Sequence, residues 1–418
     1  MLNNTEKLVP KLRLEKFIDG NNWTDFTLGK ISESLVYGLN ASSKEYDGIH
    51  KYLRITDIDD ESHLFIKKNL TSPNVNESDL NGYDLSTKDI LLARTGASVG
   101  KSYIYRKTDG LVYYAGFLIR ARIKDDFCAE FIFQNTFTTK YKRFIDVMSQ
   151  RSGQPGVNAK EYSKFIINIP SLPEQTAIGN FFKKIDERIT ANEHKLEHLK
   201  QQKKGLLQKM FPKKGETVPV MRFKGFEGQW KENKLKNLGE IKSGVGFPDK
   251  EQGGISGIPF YKISDMNNVG NDIEMLNSNN YVSKNQISRN NWNPINNFPA
   301  IIFAKVGAAI MLNRKRLVNH AFLIDNNTMS FSMNNELDMN FSISMFDNIF
   351  LPRYVQIGAL PSYNSSEIGA IKVKVPEKEE QSHIGNFFQK YDQLINAQQN
   401  KIKHLKRQKQ ALLQQMFV

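Results

Sequence analysis

One cysteine in 418 residues, Cys128, leaves no partner for an intrachain disulfide and no basis for a Cys-based zinc cluster. No run of about eighteen apolar residues occurs, so no membrane-spanning helix is expected. The opening MLNNTEKLVPKLRL lacks the apolar core of a signal peptide. Together these absences make the cytoplasm the expected location. Catalytic signatures are missing too: there is no dinucleotide-type glycine loop, no Asn/Asp-Pro-Pro-aromatic signature of an adenine methyltransferase and no HExxH. The seven histidines fall at no ligand spacing. No catalytic residue, metal ligand or cofactor of its own is therefore expected of this chain.

What is present in excess is positive charge. Lys and Arg outnumber Asp and Glu by 58 to 44, a net charge of +14. That balance suits a polyanionic partner without identifying one. Its location says more. Residues 174–211 carry eight cationic side chains against five acidic ones, and residues 380–417 carry six against two. Half of the excess lies in these two short segments, so a DNA-reading surface elsewhere must be a local patch.

The two segments are also copies of one another. Glu174-Gln-Thr-Ala-Ile-Gly-Asn-Phe-Phe-Lys-Lys-Ile-Asp186 is answered, 206 positions on, by Glu380-Gln-Ser-His-Ile-Gly-Asn-Phe-Phe-Gln-Lys-Tyr-Asp392. The offset holds without a gap to Leu206-Leu-Gln-Lys-Met-Phe211 and Leu412-Leu-Gln-Gln-Met-Phe417, with about half of the positions identical. Upstream the match continues with drift. Leu92-Ala-Arg-Thr-Gly-Ala97 answers Phe303-Ala-Lys-Val-Gly-Ala308, Leu53 to Ile58 answers Tyr261 to Met266, and Trp23 answers Trp230. The chain is a tandem duplication in which a divergent globular part precedes a well-preserved helix.

Apolar residues in those helices recur at alternating spacings of four and three. The first seam is Ile178, Phe182, Ile185, Ile189, Asn192, Leu196, Leu199, Lys203, Leu206 and Met210. The second is Ile384, Phe388, Tyr391, Ile395, Gln398, Ile402, Leu405, Lys409, Leu412 and Met416. Heptads sustained this long predict a coiled coil, and the polar interruptions at Asn192, Lys203, Gln398 and Lys409 have the character of register-setting residues. An amphipathic helix lying on a globular core is the alternative; narrow stripes and highly charged opposite faces disfavour it. Pro173 and Glu174 suit a first turn and Pro212 an end. A helix of about 36 residues is roughly 50–55 Å long. An antiparallel pair would act as a ruler, presenting two reading heads about one DNA turn, near 34 Å, apart.

The globular parts read as mixed α/β. Strands are expected at 52–55, 88–93, 118–123, 165–169, 300–304 and 371–375, a helical stretch from Ala129 to Ser149, and loops over Leu276 to Asn297 and Asn326 to Asn340. Gly96-Ala-Ser-Val-Gly-Lys-Ser102 imitates a phosphate-binding loop, but it is one residue short, and its counterpart from Gly307 carries no Gly-Lys. A tight turn after a strand is the better reading. Candidate DNA contacts are loop residues whose side chains can pair with base edges or phosphates. In the first copy these are Arg94 and Thr95, then Arg151, Ser152, Gln154 and Asn158. In the second they are Lys305, the run Arg314, Lys315 and Arg316, then Ser362, Tyr363 and Asn364. A solvated turn or plain surface cation is the alternative for each.

The Pro-x-x-x-Glu-Gln lead-in (Pro170 to Gln175, Pro376 to Gln381), the Ile-Gly-Asn-Phe-Phe helix and its Leu-Leu-Gln-x-Met-Phe end carry a resemblance. So do the openings Arg13 to Trp23 and Arg222 to Trp230, although Leu14 to Asp19 departs from the pattern. The whole chain resembles the specificity subunit of type I restriction-modification systems. The resemblance implies target-recognition domains at residues 1–170 and 213–376, and helical spacers at 171–212 and 377–418. It implies that each domain reads one half of a bipartite, asymmetric site in double-stranded DNA. It further implies an antiparallel coiled coil that docks two modification subunits, which methylate adenine, with restriction subunits joining for ATP-dependent cleavage. S-adenosylmethionine, ATP and Mg would then belong to those partners. Two other classes stay open: a self-sufficient nuclease or methyltransferase, against which the missing motifs count, and an architectural or regulatory DNA binder. Co-purification with methyltransferase subunits separates them.

Overall fold

The computed structural model describes residues 8–150, 153–356 and 360–418. It divides into two compact units, Met1–Glu193 with Lys401–Val418, and His194–Asn400.

In the first unit the central sheet runs in the order Ser32–Tyr37, Leu118–Ile123, Asp89–Ala93, Ser102–Ile104, every pairing antiparallel. Successive strand residues point to opposite faces, and here both faces are covered. Ile90, Leu92, Ile119 and Ala121 turn into a core with Phe131, Tyr162 and Phe182. Leu91, Ala93 and Leu118 turn into a second core with Leu53, Tyr103 and Tyr114. That double cover is why Asp89–Ala93 reads as an almost unbroken apolar run and is buried throughout. Flanking ladders pair Thr24–Thr27 with Ile166–Ile169, antiparallel, and Lys51–Leu53 with Val112–Tyr114, parallel.

The second unit repeats this topology. Its sheet order is Gly239–Ser243, Thr328–Met333, Ala300–Ala304, Lys315–Val318. Lys231–Lys234 pairs with Lys372–Val375, and Ile258–Tyr261 lies parallel to Leu323–Ile324. Two stretches expected as loops prove partly regular. Leu276 to Asn297 holds a strand, Tyr281–Val282, and a helix, Lys284–Arg289, opened by a Ser283/Gln286 capping box. Asn326 to Asn340 holds Thr328–Met333, an inner strand of the sheet buried at every position. Ser330 and Ser332 face the covered side opposite Met329, Phe331 and Met333, so the polar letters conceal a core strand. The helical stretch from Ala129 is two helices, Ala129–Asn135 and Thr139–Met148, the second capped by the Thr138 side chain.

The long helices are Leu172–Met210 and Lys378–Met416, 39 residues each. Within the first unit Lys409 meets Asp186 and Lys406 meets Glu193, so one index falls as the other rises. The segments are antiparallel. The second unit repeats the arrangement through Lys203 with Asp392 and the ring of Phe211 near that of Phe388. Ile178, Phe182, Ile189, Ile384, Phe388, Ile402 and Leu405 are buried. Ile185, Leu196, Leu199, Leu206, Tyr391, Ile395 and Leu412 are half-buried, as a two-helix seam requires. The outer turns do more than pair. Leu413, Met416 and Phe417 join Trp23, Phe131 and Phe182 in the first core, while Leu207, Met210 and Phe211 join Trp230, Phe341 and Phe388 in the second.

The repeated lead-in motif is explained by what its side chains hold. Arg13 grips Glu174 with two hydrogen bonds of 2.7 Å, and Arg222 grips Glu380 with two of the same length. Both carboxylates are buried, where a two-pronged guanidinium is the best available partner. Gln175 accepts from the Cys128 amide and Gln381 from the Asp338 amide, tying each long helix to the start of a neighbouring one. Gly179 and Gly385 let those neighbours approach. A Cβ at Gly179 would lie 2.9 Å from the Phe131 nitrogen, and one at Gly385 would lie 2.4 Å from that of Phe341.

Candidate nucleic-acid interface

In the first unit the chain leaves the central strand at Ala93, and three loops converge on the next two residues. The Arg94 amide donates to the Phe117 carbonyl at 3.0 Å, and the Arg94 carbonyl accepts from Val157 at 2.8 Å. Thr95 bridges Gly156, and the Gly96 amide donates to the Pro155 carbonyl at 2.9 Å. The Arg94 guanidinium lies 4.8 Å from the centre of the Tyr37 ring, within the range of a cation–π contact. The Tyr37 hydroxyl accepts from the Ala159 amide. Arg94 and Thr95 are half-buried and Gln154 is exposed, so the structure brings these three candidates together around one loop cluster. Arg151 and Ser152 lie outside the described residues.

The second unit builds the same cluster from different side chains. The Lys305 amide donates to the Asn327 carbonyl at 2.8 Å, Val306 bridges Ser362, and the Gly307 amide donates to the Pro361 carbonyl at 2.8 Å. Lys305 and Ser362 are half-buried and occupy the places of Arg94 and Gly156.

Several candidates have other employment. Tyr363 is 3% exposed, and its hydroxyl donates to the Ala304 carbonyl. It is a core residue, and burial pushes its phenol far above the ordinary value. The first unit serves the matching Ala93 carbonyl with Tyr162 instead. Asn158 and Asn364 cap the short helices Ala159–Tyr162 and Ser365–Gly369 in capping boxes with Glu161 and Glu367. The run Arg314, Lys315, Arg316 is no solvated cluster. Lys315 is 9% exposed on a sheet strand, its ammonium donates to the Ile349 carbonyl at 2.8 Å, and burial pushes its pKa down to about 8. Arg316 donates to the carbonyls of Asn271 and Lys315, and burial lowers its pKa as well. Arg314 donates to the Asn267 side chain. Lys315 and Arg316 thus spend donors on carbonyls of the second unit, and Arg314 on a side chain at its surface.

Gly96 to Ser102 is a tight turn between strands. Gly96 and Gly100 have φ of +72° and +87°, Lys101 donates to the Ile58 carbonyl and pairs with Asp60, and Ser102 shares a hydrogen bond with Thr136. The lysine that would serve a phosphate is committed elsewhere. Among the described residues no three His, Cys, Asp or Glu side chains are grouped to hold a metal ion, and no helix is long and apolar enough to cross a membrane. Sequence reasoning passed over Tyr37 and Phe117, which stand beside Arg94. Aligning the turn before Leu118 with that before Thr328 is the signal that finds Phe117, and the end of the strand Ser32–Tyr37 set against that of Gly239–Ser243 finds Tyr37.

Duplicated interior ion pairs combined with dissimilar loop clusters define a class: a tandem binding protein whose copies share one frame and differ in what they present. The chain belongs to the family of the type I restriction modification DNA specificity domain, whose model matches residues 21–201 and again 227–407. A specificity subunit of the type I restriction enzyme MjaVIII, from Methanocaldococcus jannaschii, is 26% identical over 176 residues, 40% of this chain and 39% of that relative. The match thus spans well under half of the curated relative's length. The crystal structure of a type I restriction-modification S subunit from M. genitalium superposes with a TM-score of 0.63 at 17% identity, covering 98% of this chain and 99% of that one. A chain from a study of complex assembly and conformational transition of the type I restriction-modification system reaches 0.54 at 15% identity, covering 94% and 96%. At such identities these two show a shared fold.

Proposed function

We propose that this chain is the address-reading and scaffolding subunit of a type I restriction-modification complex. Each unit reads one half of a bipartite, asymmetric site in double-stranded DNA. The paired helices hold two modification subunits and set the spacing between half-sites. The chemistry then belongs to partners: S-adenosylmethionine on the modification subunits, ATP and Mg on restriction subunits, and nothing catalytic here.

One observation carries this reading. Residues that hold the frame recur in both copies, as Arg13–Glu174 does in Arg222–Glu380, while the loop-cluster side chains differ: Arg94 against Lys305, Tyr37 against Ser243, Phe117 against Asn327. Two copies of one frame with different presented side chains suit two different half-sites. Arginine, lysine and amide side chains at strand exits are the types that meet phosphates and base edges.

The test is a map of methylated adenines in the host genome, with and without this gene, and after residues 213–376 are exchanged for those of another family member. The expected result is one bipartite motif that vanishes with the gene, and a change in only one of its halves after the exchange. A change in both halves at once would overturn the two-reader account.

A further inference from the structure

The Phe117 side chain belongs to no hydrophobic core. Phe117 is 62% exposed, yet the turn that carries it is held by several backbone hydrogen bonds. The Gly116 amide donates to the Leu39 carbonyl at 2.8 Å, the Leu118 amide to the Ala115 carbonyl at 2.9 Å, and the Arg94 amide to the carbonyl of Phe117 itself at 3.0 Å. The Arg94 guanidinium adds a bond of 3.4 Å to the Gly116 carbonyl while it lies over Tyr37. An apolar ring thus projects from a hydrogen-bonded turn, beside a cation held over Tyr37.

The other repeat serves as an internal control. Tyr37 pairs with Ile119 across the sheet as Ser243 pairs with Met329, and Phe117 precedes Leu118 as Asn327 precedes Thr328. The same three places therefore hold Tyr37, Arg94 and Phe117 in one unit, and Ser243, Lys305 and Asn327 in the other. The second unit has no ring to offer there, and the Asn327 side chain bends back to Asp325. The frame does not require an aromatic at this turn, so the aromatic serves what the turn meets.

We infer that the first unit reads its half-site partly by deforming it. Phe117 presses into a base step as a stacking wedge, and Arg94, carried on Tyr37, takes an adjoining phosphate. Apolar wedges open flexible steps and so convert deformability into sequence preference. A ring alone would equally suit a protein groove. The guanidinium beside it favours a polyanion with flat faces, and DNA is one. The second unit, lacking the ring, reads an undeformed half. This inference rests on the DNA-reading role proposed above.

The experiment uses the full-length chain and duplexes carrying its methylation motif, with 2-aminopurine placed in turn at each position of both halves. Wild type is expected to raise fluorescence at one step, in the half unaffected by exchanging residues 213–376. Phe117→Ala is expected to abolish that signal, weaken binding roughly ten- to a hundredfold, the range for one base stacked on an aromatic, and leave thermal stability unchanged. Phe117→Trp should keep both signal and affinity. If wild type discriminates the motif but Phe117→Ala binds equally well with the same fluorescence pattern, the wedge is wrong and the DNA-reading role stands. Loss of affinity without a fluorescence change at any step also overturns the wedge. A wild-type chain that discriminates no motif removes the reading beneath it.

Discussion

Lys203 donates to Asp392 at 2.6 Å, and one repeat later Lys409 reaches Asp186, the counterpart of Asp392, at 2.7 Å. The two lysines that interrupt the apolar seams are thus one device used twice. Each carries its charge into the helix pair and finds a carboxylate on the opposing helix. Burial works against the Lys203 ammonium, but Asp347 and Asp392 together outweigh it and hold its pKa above the ordinary lysine value. A pair placed off its partner by one residue would leave a charge uncompensated, so the device fixes register.

Lys203→Met should therefore destabilise the second unit by about 2–3 kcal/mol, less than a fully buried pair because Asp347 keeps contact with water. Lys409→Met should cost less, since Asp186 also accepts from Gln134. Urea denaturation measures both. An unchanged midpoint for Lys203→Met would show the pair to be ornamental.

Lys315 makes a prediction with a definite sign. Its folded pKa of about 8 lies below the unfolded value of 10.5. Below the lower figure both states carry the proton, and the buried ammonium burdens the fold. As pH rises from about 8 to 10.5 the unfolded state binds more protons, so stability rises, by up to about 3 kcal/mol. Subtracting the pH profile of Lys315→Met from that of wild type isolates this contribution. A flat difference across that window would refute it.

Three helix glycines separate propensity from packing. At Gly205 a Cβ would meet nothing within 4 Å, and the other repeat already has Ala411 there. Gly205→Ala should stabilise by about 0.5–1 kcal/mol through helix propensity. At Gly179 and Gly385 the Cβ would strike backbone, so alanine should destabilise by about 1–3 kcal/mol, with Gly385 the worse. Chemical denaturation of the three variants gives the order directly.

Tyr363→Phe tests whether this tyrosine belongs to the core or to the DNA surface. Losing a buried hydroxyl's bond should cost about 1 kcal/mol of stability. The methylation motif and binding affinity should not change. An altered motif with unaltered stability would return the residue to the reading surface.

The duplication and the long helices are legible in the sequence because a shared mechanical role keeps letters alike: Gly179 and Gly385 admit a neighbouring backbone, and Glu174 and Glu380 each await an arginine. The strand Thr328–Met333 is not legible by composition, because Asn326, Asn327, Asn334 and Asn335 surround it and serines occupy alternate positions. Its apolar residues satisfy one face only, and the cover over Ser330 and Ser332 comes from distant chain. The run Arg314 to Arg316 misleads for a related reason. Charge is visible in a sequence, whereas the carbonyls of Ile349 and Asn271 that absorb it are set by tertiary structure. Phe117 escapes notice because an exposed ring beside a strand reads like the strand's own first residue. Only the turn geometry turns it outward.

The stacking of Phe417 on Phe131, with Trp23 edge-on to both, has a consequence for biosynthesis. Most of the first unit leaves the ribosome early but lacks Leu413, Met416 and Phe417 until those distant residues have been made. Its hydrophobic interior stays open while roughly two hundred further residues are made. A premature stop anywhere downstream would expose that interior to proteases and chaperones. Partial chains would then be cleared before a closed first core could form.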